Sequence, residues 1–193
     1  MKQVYVVYRW SGNPEADWYP WLKEELKAEY DVHVLQMPES GLPKVDLWVN
    51  HLKETIKNPD QNTYLIGHSV GAQAVLSYME SLPDNVKVGG VILVAPWTEL
   101  VPGIVPGSPA VTDPWVKTPI HWDKVRMHAD RFIAIRSDND ALVPIENIEV
   151  FKRELGVQVI IEKGKAHLNQ YAGVTALPSV VESLKSLAKV SQG

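Results

Sequence analysis

The sequence predicts an α/β fold with a mostly parallel six-stranded sheet and helices on both of its faces. Six short apolar runs alternate along the chain with segments of helical periodicity, and such alternation favours a parallel sheet with right-handed crossovers. The runs are apolar at nearly every position, which is typical of strands covered on both faces. A chain of 193 residues fits one domain, residues 1–193.

Taken in chain order, the apolar runs predict strands near residues 3–8, 31–36, 63–67, 88–95, 131–136 and 157–162. Apolar residues recur at helical spacing in the segments after the first two of these runs, for instance Trp18, Leu22 and Leu26 in the first. The predicted helices lie over 18–30, from Leu42-Pro43 to Ile56, directly after the third strand, near 145–155 and over 178–190.

One segment interrupts this alternation. Six prolines and two glycines lie between Pro96 and Pro119, so regular helix is not expected through most of it. Residues 96–120 leave the end of the fourth predicted strand and are expected to form a short, Pro-rich lid over that edge of the sheet. Trp97, Trp115 and Trp122 are candidates for the apolar wall of a substrate site. The alternative, that a tryptophan simply fills a gap in the core, is favoured for each of them except Trp97, which directly follows a strand.

The third apolar run leads into Gly67-His68-Ser69-Val70-Gly71, a Gly-x-Ser-x-Gly motif, and then into a predicted helix. A serine on a tight strand-to-helix turn is the nucleophile elbow of α/β-hydrolases. Glycines on both sides of the serine leave room for the turn and for the helix that packs on it. A plain turn serine is the weaker interpretation, because the strand before the motif and the helix after it are the context that the motif requires. Ser69 is therefore the candidate nucleophile.

A serine hydroxyl needs a base and an acid that orients the base, and in this fold the chain order is Ser, Asp or Glu, His. Asp140 lies in an acidic loop after the fifth run, where the spacing Asp-x-x-Val-Pro favours it; Asp138 is the alternative. His167 follows the sixth run and is the only histidine after Asp140 in the sequence. All three candidates follow the carboxyl ends of predicted strands, the edge at which parallel sheets build their sites.

With these motifs the chain resembles the small single-domain serine hydrolases of the retinoblastoma-binding-protein and YdeN-like group, over almost its whole length. The resemblance rests on the serine motif, on Val94-Ala95-Pro96-Trp97, on Ser137-Asp138-Asn139-Asp140 and on His167-Leu168-Asn169. It implies an α/β-hydrolase-like fold with Ser69, Asp140 and His167 as nucleophile, acid and base.

The chain departs from that group at two places. Lys165-Ala166 precede His167 where relatives often carry glycines, and the first strand ends in Tyr8-Arg9-Trp10-Ser11-Gly12 instead of a glycine-rich run. The Leu-x-Cys-x-Glu motif that the group's name suggests is excluded, because the chain has no cysteine.

A triad of this kind predicts hydrolysis of a small acyl ester, or of an aryl amide, through an acyl-enzyme. The oxyanion needs two backbone N–H donors; the candidates are Val70, directly after the nucleophile, and Trp10, after the first strand. No metal and no organic cofactor are expected. The alternative function, a binding or sensor protein that keeps the fold without turnover, stays open because fold does not determine function.

The net charge of the chain limits the kinds of partner that it is expected to bind. A formal net charge of −4 gives no electrostatic reason to bind nucleic acid or an anionic membrane. No apolar run approaches the length of a membrane span, and Met1-Lys2 leads directly into a strand and not into a signal-peptide core, so a cytoplasmic location is expected. His121, Asp123, His128 and Asp130 do not follow a metal-ligand spacing and are interpreted as solvated positions of a helix.

Overall fold

The computed structural model describes residues 1–103 and 109–190. Its six strands form one sheet in which every neighbouring pair is parallel, in the order β2-β1-β3-β4-β5-β6. The strands are β1 (Lys2–Val7), β2 (Tyr30–Val34), β3 (Thr63–His68), β4 (Gly90–Val94), β5 (Phe132–Ser137) and β6 (Gln158–Glu162). The predicted fold class is confirmed.

The described residues form seven α-helices: α1 (Tyr19–Leu26), α2 (Val45–Thr55), α3 (Val70–Glu80), α4 (Pro109–Lys117), α5 (Trp122–Met127), α6 (Asn147–Leu155) and α7 (Pro178–Val190). Helices α1 and α7 pack together, and α2, α3, α5 and α6 pack in series. Because right-handed crossovers place α1 and α2 on opposite sides of the sheet, both faces are covered. None of the helices in the described ranges combines the length and the apolar character that crossing a membrane would require.

The core lies on both sides of the central strands. Every residue of β3, β4 and β5 is buried, which agrees with the mainly apolar character of their sequences; the polar exceptions lie at or next to strand ends. The largest side chains that are fully buried, Trp18 and Trp48, belong to the two helical layers. Burial of each large apolar side chain contributes roughly 1.5–3 kcal/mol to the stability of the fold. The well-packed centre of the sheet therefore supports the loops at its carboxyl edge.

The Pro-rich segment contains one regular helix, α4, over residues 109–117, and Pro114 lies inside it. Pro109 begins the helix, where its missing N–H costs nothing, whereas Pro114 removes one internal hydrogen bond. Burial of Val111 and Trp115 on one face of α4 offsets that loss, and the indole N–H of Trp115 donates to the carbonyl of Pro43 at 2.9 Å. Residues 104–108 of the predicted lid lie outside the described residues.

The direction of strand addition reverses at β1. The chain runs outward from β1 to β2, returns to β3 and then adds β4, β5 and β6 on the other side. The carboxyl ends of β1 and β3 therefore flank the switch point of the sheet, which is the crevice where open α/β sheets place their sites. Predicted site residues follow the ends of five strands at this edge: Trp10 after β1, Ser69 after β3, Trp97 after β4, Asp140 after β5 and His167 after β6.

Candidate active site

Ser69 lies on a strained turn between β3 and α3. Its backbone angles are φ 55° and ψ −120°, in a region that residues with a side chain rarely adopt. A Cβ on Gly71 would lie 2.1 Å from the carbonyl oxygen of Val7, and one on Gly67 would lie 2.5 Å from the Cα of Ala72. The two glycines thus let the chain turn tightly enough to present the serine hydroxyl at the head of α3.

Ser69, His167 and Asp140 form one hydrogen-bonded chain. The Nε2 of His167 lies 2.9 Å from the Oγ of Ser69, and the Nδ1 of the same ring lies 2.7 Å from the Oδ2 of Asp140. A carboxylate only accepts, so Nδ1 carries the proton and Nε2 is free to accept the serine proton. The side chains of His167 and Asp140 are only 10% and 2% exposed, which keeps water from competing for these contacts.

The loop after β5 holds the loop that carries His167. Three consecutive side chains of the first loop accept backbone N–H groups of the second: Ser137 Oγ from Lys165 at 2.9 Å, Asp138 Oδ1 from Gly164 at 2.8 Å and Asn139 Oδ1 from Ala166 at 2.8 Å. Asp138, the alternative acid, therefore contacts backbone and not the imidazole. These contacts hold the loop through residues next to Asp140, so the side chains of Asp140 and His167 are positioned together.

The structure also brings His68 to the triad, a residue that the sequence analysis did not consider. His68 is fully buried, with its Nδ1 2.8 Å from the hydroxyl of Tyr19 and its Nε2 3.0 Å from the carbonyl oxygen of His167. Since a carbonyl only accepts, Nε2 carries the proton and Nδ1 accepts from Tyr19. Burial, followed by repulsion from the nearby His167, lowers the pKa of His68 from 6.5 to about 3. The ring is therefore neutral at ordinary pH.

The two residues predicted to supply oxyanion donors, Val70 and Trp10, line the cavity that Ser69 also lines. The N–H of Val70 belongs to the first turn of α3, where N–H groups have no partner within the helix and the helix dipole favours negative charge. Among the hydrogen bonds of the described residues, none uses the backbone N–H of Trp10, while its indole N–H donates to the carbonyl of Gly41 at 2.9 Å. The arrangement leaves both backbone N–H groups available to a ligand.

The loop after β1, which lacks the glycine-rich run of the related hydrolases, contains a buried ion pair. The Nε and Nη2 of Arg9 lie 2.8 and 3.1 Å from the two carboxylate oxygens of Asp17, and its Nη1 donates to the carbonyl of Trp10 at 3.0 Å. The guanidinium carbon lies 5.0 Å from the ring centre of Tyr171. A buried arginine is expected to take a carboxylate partner, and here the pair braces the loop that carries Trp10.

Ser69 and His167 open into a cavity of about 380 Å³. Its described lining includes the apolar and aromatic residues Trp10, Pro43, Val70, Trp97, Leu100, Val111, Trp115, Leu142 and Tyr171. The indole N–H of Trp97 points at the Oγ of Ser69 from 3.4 Å. Trp122 is not part of this lining: its ring packs edge-on against Phe151 of α6, with ring centres 5.6 Å apart. The structure thus brings two of the three predicted tryptophans to the site.

Within residues 1–103 and 109–190, no group of three or more His, Asp or Glu side chains lies close enough together to hold a metal ion. His121 pairs with Glu80, Asp123 with Arg126, and Asp130 with Lys87. The interpretation as solvated positions is wrong for His128, which is 1% exposed. Its Nδ1 donates to the carbonyl of Val86 at 2.8 Å, and a satisfied imidazole can be buried in this way.

Comparison with known proteins relates the chain to serine hydrolases. The family model described as "Serine hydrolase" matches residues 4–186. The Bacillus subtilis protein YdeN, described as a hydrolase, is 27% identical over 186 residues, which cover 96% of this chain and 95% of YdeN. The rat serine hydrolase RBBP9 is 28% identical over 130 residues, which cover 66% of this chain and 64% of that protein.

Solved structures extend this similarity to the fold. The crystal structure of the B. subtilis ydeN gene product matches with a TM-score of 0.90 and 26% identity, over 98% of this chain and 100% of that one. Est1E from Butyrivibrio proteoclasticus matches with a TM-score of 0.71 and 16% identity, over 97% of this chain and 88% of its own; at that identity the likeness concerns the fold alone.

Proposed function

Because this chain belongs to the serine hydrolase family, we propose that it hydrolyses small acyl esters with Ser69 as nucleophile, His167 as general base and Asp140 as the acid that orients the base. The observation that carries the proposal is the unbroken hydrogen-bonded chain from the Ser69 hydroxyl through the His167 imidazole to the Asp140 carboxylate. Each contact has the length that proton transfer requires, and the nucleophile stands on the strained turn that the fold uses for this purpose.

The reaction proceeds in two halves. In the first, the Ser69 Oγ attacks the acyl carbon while Nε2 of His167 takes its proton, and the same nitrogen then gives that proton to the departing alcohol. In the second, water attacks the acyl-enzyme and gives a proton to Nε2, the Oγ leaves as the proton returns to it, and the carboxylic acid is released. Asp140 stabilises the imidazolium that forms in each half, and its burial makes that interaction strong.

The negative oxygen of each tetrahedral intermediate is assigned to the N–H groups of Val70 and Trp10. Both residues line the cavity beside Ser69. The position of Val70 at the head of α3 adds the favourable field of the helix dipole. Loss of one such donor typically costs about 3 kcal/mol in transition-state stabilisation.

The character of the cavity supports a small apolar acyl group as the substrate. Trp97, Trp115 and Leu142 supply apolar surface next to the nucleophile, and the volume of about 380 Å³ is near the lower end of the range for small-molecule sites. An aryl amide would follow the same path, with His167 protonating the departing amine. The steps use only side chains and water, so the proposed activity is metal-independent.

A binding or sensor role without turnover accounts less well for this arrangement. Binding alone needs neither a strained serine nor an imidazole held between a hydroxyl and a buried carboxylate. Strain of this kind is retained where function uses it. The family membership also favours hydrolysis over binding alone.

A fluorophosphonate probe tests the proposal directly. The native protein should be labelled at Ser69 and should hydrolyse p-nitrophenyl acetate, and Ser69→Ala should lose both properties. Ser11→Ala is the matched control, since Ser11 lines the same cavity, and it should be labelled like the native protein. Activity should also survive a chelator. Labelling of the Ser69→Ala protein, or no labelling of the native protein, would exclude the proposed nucleophile.

A further inference from the structure

A directed series of hydrogen bonds runs behind the triad. The backbone N–H of Arg9 donates to the Tyr19 hydroxyl at 3.3 Å. The Tyr19 hydroxyl has one proton, which it gives to Nδ1 of His68 at 2.8 Å. The Nε2–H of His68 then donates to the carbonyl oxygen of His167 at 3.0 Å. The carbonyl can only accept, so Nε2 of the neutral imidazole carries its one proton, Nδ1 accepts, and the direction of the whole series is fixed.

This series connects two loops that serve the same proposed reaction, one at the Ser69 hydroxyl and the other at the oxyanion. Its first member adjoins Trp10, whose N–H is the proposed oxyanion donor, and its last member is the backbone of the proposed base. His68 lies between them, directly before Ser69 in the chain. The nucleophile, the base and the oxyanion loop therefore share one buried bridge.

The backbone of His167 needs such a tether. Its neighbours Ala166 and Leu168 have φ values of 43° and 55°, a left-handed conformation that costs about 1–2 kcal/mol for a residue with a Cβ. No regular secondary structure holds the loop at this point. The carbonyl of His167 contacts His68, and the carbonyl of Leu168 accepts from the indole N–H of Trp18 at 3.1 Å.

We propose that His68 is a positioning residue for His167: through the Nε2–H that the Tyr19 hydroxyl orients, it holds the His167 carbonyl and thereby sets the aim of the imidazole at Ser69. The inference rests on the proposed function, because it assigns His68 to the same triad. The side chain of His68 does not line the cavity, and its hydrogen bond to the triad is made to the backbone carbonyl of His167.

The surroundings of His68 suit a neutral donor. The groups that face it are Tyr19 from α1, Arg9 and Asp17 from the loop after β1, and His167 from the loop after β6. Arg9 and Asp17 neutralise each other as a buried pair. A second positive charge beside His167 would oppose the imidazolium that forms in the reaction, so a histidine kept neutral by burial is compatible with catalysis.

The test compares three variants with the native protein. His68→Leu removes the donor. His68→Gln restores an N–H near the position of Nε2, and Tyr19→Phe keeps the shape of the ring but removes the hydroxyl that sets the tautomer. Each variant is measured for kcat and KM on p-nitrophenyl acetate, for the pH dependence of kcat/KM and for Tm. The Nδ1–H resonance of His167 is followed by NMR in the same proteins.

We expect His68→Leu to lower kcat on the order of 100-fold, the cost of a misplaced catalytic group, with little change in KM. The kcat of His68→Gln should recover much of that loss, and the kcat of Tyr19→Phe should lie between those of His68→Leu and His68→Gln. The pH profile of kcat/KM and the His167 Nδ1–H resonance should both shift in His68→Leu. If His68→Leu does not fold, the same measurements on Tyr19→Phe and His68→Gln are compared with those of the native protein.

A lower Tm with kcat, the pH profile and the Nδ1–H resonance unchanged would overturn the proposal, since that is the signature of a merely structural residue. A native protein that neither reacts with the fluorophosphonate nor hydrolyses the ester would instead overturn the proposed function. In that case the NMR measurement still decides: an Nδ1–H resonance that does not move in His68→Leu excludes the positioning role.

Discussion

The carboxylate of Asp138 accepts a hydrogen bond from the backbone N–H of Gly164 at 2.8 Å and does not contact the imidazole of His167. Two residues further on, Asp140 does contact it, with its Oδ2 2.7 Å from Nδ1. Two acidic side chains in one short loop thus have different partners. One is placed to hold the loop that carries the base, and the other is placed to orient the base itself.

This difference predicts unequal effects of two matched substitutions. Asp140→Asn should lower kcat by about 10⁴-fold, because an amide cannot both accept the Nδ1 proton and stabilise the imidazolium as a carboxylate does. Asp138→Asn should change kcat far less, because its amide oxygen can still accept from Gly164. Steady-state kinetics on p-nitrophenyl acetate at matched protein concentration measure both effects. A larger loss for Asp138→Asn would make Asp138 the triad acid.

Much of the fold follows from one property of the sequence. The six observed strands match the six apolar runs to within two residues at each end. The signal is clearest for β3, β4 and β5, which are buried along their whole length. The serine, aspartate and histidine come together because parallel strands end at one edge, so residues far apart in the chain meet there. Their catalytic roles stay predictions until the variants are measured.

Other features had no local signal. His68 contacts the carbonyl of His167, which lies 99 residues away, and no spacing rule relates the two. The helix α4 forms around Pro114 because tertiary burial of Trp115 outweighs a local preference. Trp122 was a candidate for the cavity on aromatic character alone, and only the packing of α5 on α6 reveals that its partner is Phe151.

The tight approach at Gly71 predicts a strong effect of a single methyl group. Gly71→Ala would put a Cβ 2.1 Å from the carbonyl oxygen of Val7, and backbone at this contact cannot rotate away as a side chain can. We expect the free energy of unfolding to fall by about 3 kcal/mol or more, together with loss of fluorophosphonate labelling. Gly41→Ala, where a Cβ would meet nothing within 4 Å, should be close to native in urea unfolding. A native-like Gly71→Ala protein would contradict the elbow geometry.

The buried state of His68 predicts how stability depends on pH. Burial lowers the pKa of His68 from 6.5 to about 3, so the folded protein keeps the ring neutral while the unfolded chain binds a proton below pH 6.5. The contribution of this group to stability is therefore complete above pH 6.5 and is lost as the pH falls toward the folded pKa. Over that interval the loss is about 1.4 kcal/mol per pH unit.

The contribution of His68 can be isolated by urea unfolding of the native protein and of His68→Gln over a series of pH values. Glutamine does not titrate, and the two proteins have the same carboxylates. The native protein should lose stability more steeply on acidification. Parallel curves for the two proteins would show that His68 titrates in the folded state as it does in the unfolded chain, and would contradict the prediction.

The size of the cavity predicts the preference for the acyl chain. With about 380 Å³ available beside Ser69, each added methylene should gain about 0.8 kcal/mol only while it remains buried. We therefore expect kcat/KM on p-nitrophenyl esters to peak at short acyl chains and to fall for long ones. Trp97→Ala should flatten this profile, because it removes part of the apolar wall next to Ser69 and enlarges the cavity, while fluorophosphonate labelling of Ser69 persists. Trp122→Ala is the matched control: the same ring is removed from a position outside the cavity lining, against Phe151, and the profile should keep its shape. A preference that rises steadily to long chains, or a Trp97→Ala protein with the native profile, would mean that this cavity does not hold the acyl group.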